Sequence, residues 1–200
     1  MQAVIANMPP KWLEERKSSD ASQWDEMWNG VLHMPPMANG SHQDFSLALS
    51  TIIKSRWARP LGGLVRQEVN LTTPEDEEQW TLNYRIPDIV LVSPDRLHID
   101  KNEYMVGAPL VVVEIRSPRD ETFPFYAGLG VPEVWVFDRD TKVPEIHALG
   151  SSAIYVPLAA DSDGWLKSPA TGFQFRQTRP GKVWVRLGTD DATAEELPER

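Results

Sequence analysis

The sequence predicts an α/β (α+β) fold, in which a mixed β-sheet core carries flanking helices and antiparallel strands follow towards the C-terminal end. Two continuous apolar runs, 87–92 and 110–117, are rich in β-branched residues and are closed by Ser-Pro, which is typical of fully buried strands. A helical pattern and a further strand follow the second run. The strands on either side of that helix are therefore expected to be parallel, through a right-handed crossover.

The N-terminal third predicts two helices with a turn and a strand between them. Residues 10–17 indicate a short helix that begins at proline. Asn29-Gly30 predicts a turn that leads into an edge strand at 31–34, stopped by prolines. From 41 to 59, apolar residues recur every three to four positions, which predicts a long amphipathic helix with Ser41 as its N-cap.

The middle of the chain alternates between apolar strand patterns and polar connections. Residues 74–79 carry a run of acidic side chains and predict a solvated loop, and 93–109 predict a long polar connection. The regular elements predicted here are strands at 64–71, 80–84 and 131–138 and a short helix at 120–130.

The C-terminal part has the short alternating runs of an all-β segment. They are separated by Gly-containing turns and are expected to add antiparallel strands to the edge of the sheet, at 144–149, 153–158, 173–177 and 183–187. We predict a single domain over 1–188. The acidic tail at 189–200 is predicted to be disordered.

Composition narrows the functions that the chain can have. Cysteine is absent, so a bound metal would have oxygen or imidazole ligands, which favours Mg²⁺ or Mn²⁺ over structural zinc. A net charge of −9 argues against a surface built for strong non-specific binding to nucleic acid. The N-terminus lacks the pattern of a signal peptide, and no apolar run approaches ~20 residues. We therefore expect a cytoplasmic protein with no membrane partner.

Two acidic residues, Asp88 and Glu114, stand on the two buried strand patterns, 26 positions apart. Burying an ionised carboxylate without a partner costs several kcal/mol, so each needs a cation, a group of hydrogen-bond donors or a metal. One interpretation is structural, with Asp88 accepting backbone N–H bonds and Glu114 paired with Arg85 or Arg116. The other interpretation is a metal site.

The motifs around these acids resemble those of the Uma2 family, a restriction-endonuclease-like branch of the PD-(D/E)xK nuclease superfamily. The resemblance extends in order over roughly residues 24–187 and is carried by Pro-Asp-Ile-Val-Leu-Val at 87–92, Val-Val-Val-Glu-Ile-Arg-Ser-Pro at 111–118, the stretch 126–138, Asn29-Gly30, 34–36 and His42. It implies that Asp88, Glu114 and the Ile115 carbonyl bind Mg²⁺ or Mn²⁺. It also implies phosphodiester hydrolysis with DNA as the partner.

The chain departs from the superfamily pattern at position 116, where Arg116 stands in place of the lysine expected two residues after the glutamate. Arginine can clamp a phosphate but cannot act as a base. Lys101 or Lys142 is a spatial substitute only if the fold brings it near. Two functions therefore stay open: a metal-dependent endonuclease in which Arg116 contacts the scissile phosphate, and a degenerate nuclease fold that acts as a binding or assembly module.

Two further residues are candidate catalytic groups. Glu26 precedes the Asn29-Gly30 turn and is either a third acid of the site or a solvated side chain. His42 lies in the first turn of the long predicted helix and is either a catalytic residue or ligand, or a solvated or backbone-bonded histidine. Exposed edge strands and many tryptophans favour a homodimer, and the sequence identifies no partner protein.

Overall fold

The structure, a computed structural model, describes residues 3–6, 9–18, 22–35, 38–116 and 122–198. Within these residues the strands, numbered along the chain, form three sheets. The first sheet has the order β1-β3-β2-β6-β5-β8 and consists of β1 (Ala3–Ile5), β2 (Glu26–Trp28), β3 (Val31–Met34), β5 (Asn70–Thr72), β6 (Tyr84–Arg85) and β8 (Tyr104–Val106).

The second sheet is mixed and lies at the centre of the molecule. It has the order β12-β11-β10-β9-β7-β4 and consists of β4 (Leu64–Gln67), β7 (Ile89–Val92), β9 (Val111–Arg116), β10 (Glu133–Asp138), β11 (Pro144–Leu149) and β12 (Tyr155–Pro157). Strands β9 and β10 are parallel, as predicted, and β7 is antiparallel to β9. The third sheet is antiparallel and consists of β13 (Leu166–Lys167), β14 (Phe173–Arg179), β15 (Lys182–Leu187) and β16 (Glu195–Leu197).

Helices flank these sheets, and the predicted fold class is confirmed. They are α1 (Pro10–Lys17), α2 (Gly40–Ile53), α3 (Arg59–Leu61) and α4 (Phe123–Leu129), with a π-helical turn at Lys54–Ala58 and 3₁₀ helices at Pro74–Leu82, Pro94–Ile99 and Asp191–Thr193. Asn39, and not Ser41, caps α2, because its side chain accepts the His42 N–H at 2.9 Å. Among the described helices, none combines the length and the apolar character that crossing a bilayer requires.

The central sheet is covered on both faces, and this sets the direction of its side chains. Alternate residues of a strand point to opposite faces. Val113 and Ile115 of β9 pack into a core with α2 and the third sheet. Val112 packs into the other core, with Tyr126 of α4 and residues of the first sheet. Glu114 lies between Val113 and Ile115 in the strand and therefore faces the α4 side of the sheet.

Several sequence predictions of strands are wrong. Strand β3 is not an edge, because β1 pairs with it on the side away from β2. Residues 74–82 form a 3₁₀ helix, in which Thr73 caps the turn by accepting the Asp76 N–H, so neither a loop at 74–79 nor a strand from 80 is present. The runs at 173–177 and 183–187 belong to a separate sheet. The predicted start of the short helix at 120 lies outside the described residues.

The prediction of a disordered tail is also wrong for the residues that form β16. Leu197 lies opposite Val183 of β15 and is 1% exposed, so one apolar side chain in an acidic segment anchors that segment to the core. Leu197→Ala is expected to destabilise the chain by about 2–4 kcal/mol through a cavity. Urea unfolding measures this difference. Leu47→Ala is the control, since Leu47 is 62% exposed, and an equal loss in both variants would contradict the anchoring role.

Candidate active site

Asp88 and Glu114 lie opposite each other on neighbouring strands. Strands β7 and β9 pair with Ile89 opposite Val113, and one residue further along this register Asp88 lies opposite Glu114. Residues that are directly opposite in an antiparallel pair share a face of the sheet. Both carboxylates are half-buried, and the Asp88 side chain is 18% exposed, so solvent reaches the pair.

Asp88 is held by two donors from different elements. Its Oδ2 accepts the Ile115 N–H at 2.5 Å, and its Oδ1 lies 3.0 Å from His42 Nε2. A carboxylate only accepts, so the imidazole donates from Nε2. His42 is 7% exposed and its Nδ1 is buried without a partner among the described residues, so the interpretation of a solvated histidine is wrong. These two bonds fix the carboxylate and leave each oxygen a second lone pair.

Glu114 is in an environment that opposes its charge. Burial, with the nearby Asp88 carboxylate, raises the pKa of Glu114 to about 8, while Arg116 and a hydrogen bond from Tyr126 act in the opposite direction. The Tyr126 hydroxyl donates to Glu114 Oε1 at 2.6 Å. A cation bound between Asp88 and Glu114 would offset the repulsion between the two carboxylates and would allow Glu114 to lose its proton.

Glu26 belongs to the same group of charges. Its Oε1 accepts the Ile86 N–H and its Oε2 the Trp28 indole N–H, both at 2.7 Å. Burial raises the pKa of Glu26, and the Asp88 carboxylate contributes to the increase. The interpretation of a solvated side chain before the turn is therefore wrong. β2 brings Glu26 towards the two acids from the first sheet.

The cations have different surroundings. The Arg116 guanidinium lies 4.9 Å from the centre of the Phe123 ring, and burial lowers its pKa while Glu114 opposes the decrease. Lys101 pairs with Glu77 at 3.5 Å, and the Lys142 amine donates to the Arg139 carbonyl beside the Phe45 ring. Neither lysine has a described contact with Asp88 or Glu114.

The oxygen atoms of this site can supply some, but not all, of the ligands that a hard divalent cation needs. Asp88 and Glu114 supply carboxylates. The N–H and C=O of a strand residue point to the same side. Since the Ile115 N–H donates to Asp88, the Ile115 carbonyl also points to the β7 side. No three His, Asp or Glu side chains form a complete metal-binding group within the part of the chain that the structure describes. A cation here would draw its other ligands from water and substrate, as Mg²⁺ commonly does.

Tyr126 was not identified from the sequence, where it reads as one more aromatic residue of a helix that packs on the sheet. Tyr126→Phe is expected to leave Glu114 Oε1 without its donor, to raise the pKa of Glu114 further and to weaken Mn²⁺ binding at pH 7 by about tenfold. Calorimetric titration measures this affinity.

The matched control is Tyr155→Phe. The Tyr155 hydroxyl is also part-buried and donates to the Val131 carbonyl at 2.7 Å, with no carboxylate involved. This variant is expected to lose a comparable hydrogen bond without a change in Mn²⁺ affinity. If both variants bind Mn²⁺ as the natural chain does, Tyr126 does not position Glu114.

Comparisons with known proteins identify a family and a similar fold. The sequence pattern of Uma2, a family described as "Putative restriction endonuclease", matches residues 16–180. The fold is similar to that of a crystal structure from Anabaena variabilis, described as a putative nuclease belonging to DUF820, with 18% identity and a TM-score of 0.58 over 78% of this chain and 88% of that chain. At that identity the likeness concerns the fold alone. A search of curated proteins finds no match.

Proposed function

Because the chain belongs to the Uma2 family of restriction-endonuclease-like proteins, we propose that it is a divalent-metal-dependent endonuclease that hydrolyses phosphodiester bonds of DNA. The observation that carries the proposal is the placement of Asp88 opposite Glu114 on one face of the central sheet, with solvent access. The proposed metal is Mg²⁺ or Mn²⁺. When bound, such an ion would polarise a phosphoryl oxygen and lower the pKa of a water molecule.

Each residue of the site has a separate task in this proposal. Asp88, Glu114 and the Ile115 carbonyl hold the metal. His42 and the Ile115 N–H orient Asp88, so that its free lone pairs face the site. Glu26, fixed by its two N–H donors, is the third acid.

Arg116 contacts the scissile phosphate in this proposal. It stays protonated near neutral pH and stabilises charge that develops in the transition state, without acting as a base. No lysine in the described residues takes the role of base at Asp88 and Glu114. The proton of the attacking water therefore leaves to solvent or to Glu26, which already lies close to Asp88 and Glu114.

Cleavage of supercoiled plasmid tests this function. The natural chain is expected to nick the plasmid with Mg²⁺ or Mn²⁺ and to lose this activity with EDTA. Asp88→Asn is expected to be inactive under the same conditions. Glu77→Gln is the control, because Glu77 is 43% exposed on its side chain and pairs with Lys101. No cleavage by the natural chain with either metal would overturn the proposal.

The positions of Lys101 and Lys142 favour a second function, in which the chain is a catalytically degenerate nuclease fold that acts as a binding or assembly module. In that case Asp88 and Glu114 would be structural. The distinguishing result is DNA binding by the natural chain and by Glu114→Ala with equal affinity, and cleavage by neither.

We also propose that the chain forms a homodimer. Strand β12 ends the second sheet, and two apolar side chains at this edge are exposed, Ile154 at 63% and Val156 at 54%. Unpaired edges and exposed apolar groups favour association. Light scattering of the natural chain and of Val156→Lys distinguishes a dimer from a monomer.

A further inference from the structure

Arg85 on β6 is a deeply buried cation near Glu26, one of the acidic side chains of the site. It is 5% exposed, and its guanidinium lies between two rings, 4.2 Å from the centre of Trp28 and 4.3 Å from that of Phe125. Trp28 also stacks on His33, with ring centres 3.9 Å apart. A stack of four planar groups thus connects the first sheet to α4, and it fixes the plane of the guanidinium.

A single nitrogen of the Arg85 guanidinium, Nη1, donates all of its described hydrogen bonds. Nη1 donates to the Met27 carbonyl, Asn83 Oδ1 and the Tyr84 carbonyl at 3.1–3.3 Å. Nε is buried and has no partner among the described residues. Nε and Nη2 together form the edge of a guanidinium that binds two oxygens of a phosphate or carboxylate side by side. No described carboxylate forms a salt bridge with Arg85.

This arrangement is costly for a residue with a structural role alone. A buried cation without a paired anion costs several kcal/mol. Burial lowers the pKa of Arg85 to about 10, although Glu26 and Tyr126 oppose the decrease. At that pKa the guanidinium is still charged near neutral pH.

Arg186 shows how the chain treats a buried arginine in a structural position. It is 6% exposed and its guanidinium lies 3.8 Å from the centre of the Trp165 ring. Its Nε and Nη2 both donate to Gln174 Oε1, at 3.2 and 2.7 Å. The same edge that has an acceptor in Arg186 has none in Arg85, and only Arg85 lies at the candidate active site.

We propose that the Nε–Nη2 edge of Arg85 binds the non-bridging oxygens of a phosphodiester, and that Arg85 is a phosphate-binding residue of the site. The inference rests on the proposed function and names a residue and a ligand group for it. The planar fork matches two phosphate oxygens in spacing and charge. Because the Asp88 carboxylate repels an anion, binding is expected to require a divalent cation.

Titration of the natural chain with dimethyl phosphate in the presence of Mg²⁺ tests the inference without any cleavage step. The arginine Nε–H signals are followed by proton–nitrogen NMR and assigned through bonds to each side chain. The Arg85 Nε–H signal is expected to shift to saturation, while the Arg186 signal stays unchanged. An unchanged Arg85 signal overturns the inference, and so does an equal shift with acetate, which would indicate an unselective anion site.

Kinetics with variants supply the second measurement. Arg85→Lys keeps the charge and loses the fork, so KM for DNA is expected to rise by about tenfold or more, with an unchanged affinity for Mn²⁺. Arg186→Lys removes an equally buried and stacked arginine and is expected to leave KM unchanged. If Arg85→Lys lowers stability alone and KM stays the same, Arg85 is structural. A saturable Arg85 shift without DNA cleavage would keep the phosphate site and reject the nuclease function.

Discussion

Glu114→Gln is expected to abolish metal-dependent cleavage of DNA, with a loss of about a thousandfold or more. Glutamine keeps the shape of the side chain and accepts the Tyr126 hydroxyl, but it removes the negative charge that the proposed metal site needs. A bound cation contributes several kcal/mol of transition-state stabilisation, and ~4 kcal/mol corresponds to roughly a thousandfold in rate. Plasmid cleavage with Mg²⁺ at a series of enzyme concentrations measures the loss.

The matched control is Glu145→Gln. The register places Glu145 opposite Val136, which in turn lies opposite Glu114, so this acid faces the same side of the sheet two strands away. Its side chain is 57% exposed and hydrogen-bonded to His147. Loss of activity in both variants to the same extent would contradict a specific role for Glu114.

Glu114→Gln, which is expected to abolish activity, is expected to increase the stability of the metal-free chain. Because the folded state holds the proton on Glu114 more tightly than the unfolded state, the free energy of unfolding decreases as pH rises from about 4.5 to about 8. Glu114→Gln removes this dependence, so at pH 8 without metal the variant is expected to be more stable, on the order of a few kcal/mol. A substitution that makes the chain more stable and less active is typical of a residue that serves function at a cost in stability.

The strands that carry the site could be predicted because their sequences allow one interpretation. Continuous β-branched runs around Asp88 and Glu114 indicate buried strands, and the helix between β9 and β10 determines their parallel order. The three-residue strands β1, β8 and β16 could not be predicted, since so short a run has no measurable alternation. Of the three residues of β16 only Leu197 is buried, and a single apolar residue in an acidic segment gives no periodic signal.

The groups around the two acids were harder to predict than the acids themselves. Asp88 and Glu114 stand out because an acid within an apolar run needs an explanation. Tyr126 and Arg85 have no such contrast, since an aromatic residue on a helix and an arginine before a strand are ordinary. Their roles depend on which atoms the fold brings together, namely the Tyr126 hydroxyl on Glu114 and the rings of Trp28 and Phe125 on either side of Arg85.

The affinity for Mn²⁺ is expected to increase about tenfold for each pH unit between about 5 and 8 and to level off above 8. Burial and Asp88 raise the pKa of Glu114 to about 8, so below that pH a cation must displace a proton to bind the carboxylate. Over three pH units the affinity changes by about a thousandfold. Calorimetric titration with Mn²⁺ at several pH values, without DNA, measures the slope.

Tyr126→Phe gives this prediction a second, independent signature. The hydrogen bond from Tyr126 favours the charged form of Glu114, so its removal is expected to raise the pKa of Glu114 and to move the plateau of Mn²⁺ affinity to a higher pH. Above that plateau the affinities of the variant and the natural chain are expected to converge, because Glu114 is then ionised in both. A slope that is flat from pH 5 to 8 in the natural chain would show that no proton leaves when Mn²⁺ binds, and Glu114 would then not be a ligand.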